Sequence, residues 1–192
     1  IGGGSSFLAV QFNSSIRAIA NLAAAETNPS AVAAAGNITI PALVIAGGND
    51  CVAPPANHQT PMYNALISGC KTYFTITGGS HCQMAENNTL CSFGEATCTP
   101  AASISRVAQH ATIDNYLLPW LNYQLKGDCA AGAAFDASIV ADPSVTYQRS
   151  CQLCTSTGIT APGMQTAGWN IHPNPASEVL HVYLPKMTAG YL

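Results

Sequence analysis

The chain has 192 residues, which allows one domain of ordinary size and a small additional module. Charged residues make up only 8% of it, against about 25% in an average soluble domain, so its polar surface must be largely uncharged, as suits an exported protein. A net charge of −3 with six scattered Lys and Arg argues against nucleic acid as a partner, and the longest apolar stretches fall short of the roughly 18 residues that span a membrane.

Two apolar segments predict neighbouring strands of a parallel sheet. Residues 38–46 form a continuous run rich in β-branched side chains, and residues 71–77 are rich in Tyr, Phe, Ile and Thr. Between them, residues 54–67 begin with two prolines and continue into an apolar segment, which is typical of a crossover helix. Residues 2–12 indicate a glycine-rich turn that leads into a helix packed closely on the sheet. The predicted fold class is therefore α/β, with a parallel sheet and flanking helices.

The second half of the chain divides into three parts. Residues 103–126 carry apolar side chains at helical spacing, which predicts the last helix of a first domain over residues 1–126. Residues 127–168 lose this periodicity and gather small residues and prolines, so they are predicted to be a linker with disulfides. Residues 169–192 contain a Pro-Asn-Pro turn and an alternating strand, and they indicate the start of a small β module.

Eight cysteines in a chain of this length indicate an oxidising compartment, so the protein is expected to be secreted or at the cell surface. Zinc binding would need a second pair of ligands beside Cys151 and Cys154, and none stands at the required spacing. Disulfides are therefore predicted instead of a metal site.

Two titratable residues directly follow the two predicted strands. Asp50 ends the turn Gly47-Gly48-Asn49, and His81 follows Gly78-Gly79-Ser80. Reacting groups gather at the carboxyl ends of parallel strands, so we expect an oxygen of Asp50 within about 2.6 to 3.2 Å of a ring nitrogen of His81. A catalytic serine needs an imidazole to remove its proton and a carboxylate to orient that imidazole. Asp50 and His81 are therefore predicted to belong to a Ser-Asp-His triad.

The nucleophilic serine is expected directly before residue 1. Such a serine sits in a turn of the form Gly-x-Ser-x-Gly, and Ile1-Gly2-Gly3-Gly4 fits the part of this turn that comes after the serine. Within the chain, Ser5 follows a glycine but has Phe7 where the closing glycine belongs. The chain is therefore interpreted as a fragment that is inactive by itself, and the amide of Ile1 is predicted to be an oxyanion-hole donor.

These residues carry a family resemblance over about residues 1–126. The segment PALVIAGGNDCVAPP at 41–55, the sequence GSH at 79–81 and the opening glycines are similar to the polyester hydrolase and cutinase-like branch of the α/β-hydrolases. The resemblance implies the C-terminal part of an α/β-hydrolase, secreted, that cleaves a carboxylic ester substrate through Asp50 and His81. It implies no cofactor.

Two alternatives stay open at this point. A peptidase or a relative of dienelactone hydrolase would share the fold and the base but differ in the nucleophile or in the bond cleaved. A noncatalytic protein that keeps the fold for surface attachment is the other alternative. The residue before Ile1 distinguishes the enzymes, because serine favours the esterase and cysteine the dienelactone type.

A second resemblance covers only the tail. The sequence Pro173-Asn174-Pro175-Ala176 and the strand after it are similar to the C-terminal sorting domain that type IX secretion uses in Bacteroidetes. This resemblance implies a truncated sorting module at residues 169–192 and the secretion machinery as a partner.

The predicted sheet also suggests two cysteine pairs. Cys51 and Cys82 follow the two triad residues at the carboxyl ends of neighbouring strands, so a disulfide between them is predicted. Cys70 begins the last strand at the opposite edge, to which the final helix returns with Cys129, so a second disulfide is predicted there.

Overall fold

The computed structural model describes residues 2–154 with their side chains, and the backbone of residues 170–172 and 181–183. The chain divides into two compact units, Ile1–Ser156 and Thr157–Leu192. In the described part, none of the helices is long and apolar enough to cross a membrane.

The first unit contains a sheet of four strands in the order β1-β2-β3-β4. The strands are β1 (Ile19–Leu22), β2 (Ala42–Gly47), β3 (Lys71–Ile76) and β4 (Val145–Arg149). The first three are parallel, and β4 runs antiparallel to β3. Every residue of β2 is buried, as its unbroken apolar sequence requires of a strand covered on both faces. The predicted α/β fold is confirmed, with the difference that the sheet is mixed.

Helices cover both faces of this sheet. They are α1 (Gly2–Phe12), α2 (Ala31–Ala35), α3 (Gln59–Ala65), α4 (Thr89–Glu95), α5 (Arg106–Lys126) and α6 (Cys129–Ala141). On one face, residues of α1, α2 and α3, such as Phe7 and Met62, pack with Val44 of β2. On the other face, α5 and α6 contribute Trp120 and Phe135 to a core built around the opposite side of β2 and β3. The sheet is therefore the middle layer of three.

The structure corrects the linker predicted for residues 127–168. Residues 129–141 form α6 and residues 145–149 form β4, so the compact unit continues well past residue 126 and α5 is not its last helix. Asp128 caps α6 by accepting a hydrogen bond from the amide of Ala131 at 3.1 Å. Helix α6 is rich in Ala and Gly, which gives little polar contrast between its faces, so its periodicity is weak in the sequence.

All eight cysteines form disulfides. The pairs are Cys51–Cys98, Cys70–Cys151, Cys82–Cys91 and Cys129–Cys154. The prediction of disulfides is confirmed, but both predicted pairs, Cys51–Cys82 and Cys70–Cys129, are wrong.

The added strand and a short helix explain both errors. Strand β4 pairs Arg149 with Thr72, so Cys151 arrives beside Cys70, with a Cα separation of 5.0 Å. At the other edge, a 3₁₀ turn at Cys82–Met84 and helix α4 bring Cys91 to Cys82. Cys51 therefore pairs with the next cysteine along the chain, Cys98.

In the second unit the structure describes two short strands, β5 (Asn170–His172) and β6 (His181–Tyr183), which pair antiparallel. The Pro-Asn-Pro turn predicted between them, at residues 173–175, lies outside the described residues. The sorting role of residues 169–192 stays a prediction.

Candidate active site

Asp50 lies at the carboxyl end of β2 and is almost completely buried, with 4% of its surface exposed. Its Oδ1 atom accepts a hydrogen bond from the amide of Ala53 at 2.7 Å. The amide of Asp50 in turn donates to the carbonyl of Gly47 at 3.2 Å, which closes the turn after the strand. One carboxylate oxygen is therefore fixed by its own loop, and Oδ2 remains for another partner.

That partner is His81, which follows β3. The distance between His81 Nδ1 and Asp50 Oδ2 is 2.8 Å, inside the range predicted from the sequence. An ionised carboxylate can only accept a hydrogen bond, so Nδ1 carries the hydrogen and Nε2 is left as an acceptor. The Asp50 side chain is fully buried, whereas 23% of the His81 side chain is exposed. The carboxylate is therefore shielded from solvent while the imidazole is partly accessible, and the catalytic role of the pair stays a prediction.

The two loops that carry this pair are in direct contact. The amide of Asn49 donates to the carbonyl of Gly79 at 2.8 Å, and the amide of Gly48 donates to the carbonyl of Ile76 at 2.8 Å. A Cβ atom at Gly47 would lie 2.8 Å from the carbonyl oxygen of Gly79, closer than such atoms approach. Glycine at position 47 is therefore required for the close approach of the loops.

We expect Gly47→Ala to destabilise the protein by about 1–3 kcal/mol, because the new methyl group forces the two loops apart. Thermal unfolding monitored by circular dichroism measures this effect. Gly69→Ala is the matched control, since a Cβ atom there has no neighbour within 4 Å. An equal melting temperature for both variants would contradict the proposed close contact.

The beginning of α1 lies at the same edge of the sheet. A Cβ atom at Gly3 would lie 2.8 Å from Ala24 Cα, and one at Gly4 would overlap the carbonyl oxygen of Ala25. Ala24 and Ala25 belong to the loop that directly follows β1. Because β1, β2 and β3 are parallel, their carboxyl ends share one edge of the sheet. The opening glycines therefore allow α1 to begin close to the edge at which Asp50 and His81 meet.

A buried glutamine connects the loops after β1 and β2. Gln59 is fully buried, and its Nε2 donates to the carbonyl oxygens of Ala24 at 2.6 Å and Ala53 at 3.2 Å. The neighbouring His58 accepts a hydrogen bond at Nδ1 from the amide of Glu26 at 2.9 Å. His58 thus has a structural contact, whereas the sequence contains no signal for the role of Gln59.

The remaining candidate residues are Ile1 and two serines near the start of the chain. Ile1, the predicted oxyanion-hole donor, is outside the described residues. Ser5 and Ser6 are within helix α1, where Ser6 Oγ donates to the carbonyl of Gly3 at 2.6 Å. Over residues 2–154, no group of three or more His, Cys, Asp or Glu side chains is placed to hold a metal ion.

Comparison with known proteins agrees with this fold. The family model described as PETase, PET hydrolase-like, matches residues 1–98, which is more than half of the 192 residues and includes Asp50 and His81. A search of curated proteins finds no match to the chain. The resemblance to polyester hydrolases is confirmed over the matched residues, and no comparison supports the sorting module. The chain therefore belongs to the PET hydrolase-like family of α/β-hydrolases.

Proposed function

We propose that the protein is a secreted carboxylic ester hydrolase that acts through a Ser-Asp-His triad containing Asp50 and His81. The observation that carries this proposal is the 2.8 Å contact between the buried Asp50 carboxylate and the partly exposed His81 ring. A histidine oriented in this way holds its second nitrogen ready to accept a proton from a nucleophile. Four disulfides agree with an oxidising location outside the cytosol.

In the proposed reaction, a serine oxygen attacks the ester carbonyl carbon while His81 Nε2 takes the hydroxyl proton. The Asp50 carboxylate stabilises the imidazolium that forms. Collapse of the tetrahedral intermediate breaks the bond to the alcohol, which leaves with the proton from Nε2, and an acyl-enzyme remains. Water then attacks the acyl carbon while Nε2 takes its proton. The second tetrahedral intermediate collapses to release the acid, and the serine oxygen regains its proton from Nε2.

We place the nucleophilic serine directly before Ile1 and assign the amide of Ile1 as one oxyanion-hole donor. The close packing of Gly3 and Gly4 on the loop after β1 supports this position. A serine that precedes α1 would stand at the edge of the sheet where the carboxyl ends of β2 and β3 present Asp50 and His81. A sharp turn into a close-packed helix requires small residues after the serine.

We expect the full-length protein to hydrolyse soluble carboxylic esters and polyester film, and to lose both activities with a serine-directed organophosphonate. Mass spectrometry of the inhibited protein should place the label on the residue that precedes Ile1. The variant Ser6→Ala serves as the control, because Ser6 bonds within α1 and its loss should leave labelling and turnover unchanged. A label on Ser5 or Ser6 would move the nucleophile, and an unlabelled, inactive protein would contradict ester hydrolysis.

A further inference from the structure

The main chain directly before His81 is held by a glutamine side chain from α5. Gln109 Oε1 accepts a hydrogen bond from the amide of Ser80 at 2.9 Å, and Gln109 Nε2 donates to the carbonyl of Ser80 at 2.9 Å. Gln109 and Ser80 are both fully buried. One primary amide therefore satisfies both polar main-chain groups of one buried residue, and it does so at the position next to His81.

The same turn of α5 also holds the main chain after His81. Arg106 Nη1 donates to the carbonyl of Cys82 at 2.5 Å and also to the carbonyl of Ala85. Arg106 and Gln109 are three residues apart, so they project from one face of the helix. Ser105 fixes the beginning of this helix by accepting a hydrogen bond from the amide of Ala108 at 3.1 Å. The segment that carries His81 is thus bound on both sides by the first turn of one helix.

We propose that Gln109 is a positioning residue, which holds His81 in contact with Asp50 through the main chain of Ser80. Two hydrogen bonds to the same residue fix its rotation as well as its position, and that rotation sets the direction in which the next side chain leaves the backbone. Gln109 touches neither Asp50 nor the ring of His81 in its hydrogen bonds, so it acts only through the loop. The kinetic consequence of this inference rests on the proposed function.

Loss of the Gln109 amide leaves the amide and carbonyl of Ser80 buried without these partners. A buried polar group without a hydrogen-bond partner raises the free energy of the folded protein. The loop therefore rotates until the amide and carbonyl of Ser80 reach other partners. Rotation displaces the His81 ring from Asp50. A displacement of about 1 Å at a catalytic group can lower turnover about 100-fold. Substrate binding depends on contacts away from His81, so it is unaffected.

The test uses Gln109→Leu in the full-length protein. We expect kcat to fall about 100-fold with KM changed less than about threefold, because the interaction acts on catalysis and not on substrate binding. In the proton NMR spectrum, the low-field resonance of the hydrogen between His81 Nδ1 and Asp50 should weaken or disappear. Gln109→Met keeps the side-chain length but has neither the donor nor the acceptor, so it should lower kcat by a similar factor, and it carries the test if Gln109→Leu does not fold.

Tyr116→Phe is the matched control. Tyr116 is a buried residue of the same helix, and its hydroxyl donates to Asp142 Oδ2 at 2.7 Å, far along the helix from Ser80. This variant should lose stability but keep both kcat and the resonance. A folded Gln109→Leu protein with unchanged kcat and an unchanged resonance would overturn the positioning role. An inactive wild-type protein would instead overturn the proposed function, and the resonance would still decide the role of Gln109.

Discussion

Asp50→Asn in the full-length protein should lower kcat about 10⁴-fold while the fold remains intact. The reason is that the two oxygens of the Asp50 carboxylate have different partners. Its Oδ1 accepts from the amide of Ala53, so the oxygen of the introduced amide takes that place and its NH₂ group faces His81. His81 Nδ1 must then accept a hydrogen bond, which moves the ring hydrogen to Nε2. A ring in that tautomer cannot take a proton from serine.

Steady-state kinetics with a soluble ester measure this loss, and circular dichroism with thermal unfolding verifies the fold. Asp114→Asn is the matched control, because Asp114 is exposed on α5 and carries the same change of charge. We expect its kcat to stay close to that of the wild type. A reduction of less than about tenfold for Asp50→Asn would be too small for a triad acid and would contradict the assignment.

Removing the Cys70–Cys151 disulfide, by Ala at both positions, should lower the free energy of unfolding by about 4–5 kcal/mol. The bond spans 81 residues, so its loss frees a long loop in the unfolded chain. Cys70 directly precedes β3 and Cys151 follows β4 by two residues, so the bond also holds the antiparallel strand at the edge of the sheet.

The double variant of Cys82–Cys91 is the comparison, because this bond spans only nine residues and its removal should cost about 2–3 kcal/mol. Urea denaturation of both double variants gives the two free energies under identical conditions. Equal losses, or a larger loss for the shorter loop, would show that loop length does not determine how much each bond contributes.

The local sequence was sufficient to predict the central strands and the pair of Asp50 and His81. A run of buried β-branched residues has few alternatives to a strand, and the glycine-rich turns after β2 and β3 mark where Asp50 and His81 must stand. Parallel strands then bring their carboxyl ends together without further information. For this reason, a distance between residues 31 positions apart could be predicted from the sequence.

The parts that sequence reasoning missed depend on distant partners. Strand β4 has only one buried residue, Val145, so its pattern resembles a loop until β3 is beside it. The cysteine pairs follow from that strand and from α4, and neither was predicted. Gln59 and Gln109 are polar residues whose burial is explained only by the main-chain groups that they meet. The periodicity of the sequence does not indicate which distant main-chain groups these side chains will bind.

The disulfides also affect how the protein withstands proteases. Residues 85–90, between Cys82 and Cys91, are all exposed and are accessible to cleavage. A single cut there breaks the backbone, but three disulfides span the cut, and they still join the part that carries His81 to the part that carries α5. The nicked protein therefore keeps both segments in one covalent molecule, and Gln109 remains available to Ser80 after the cut.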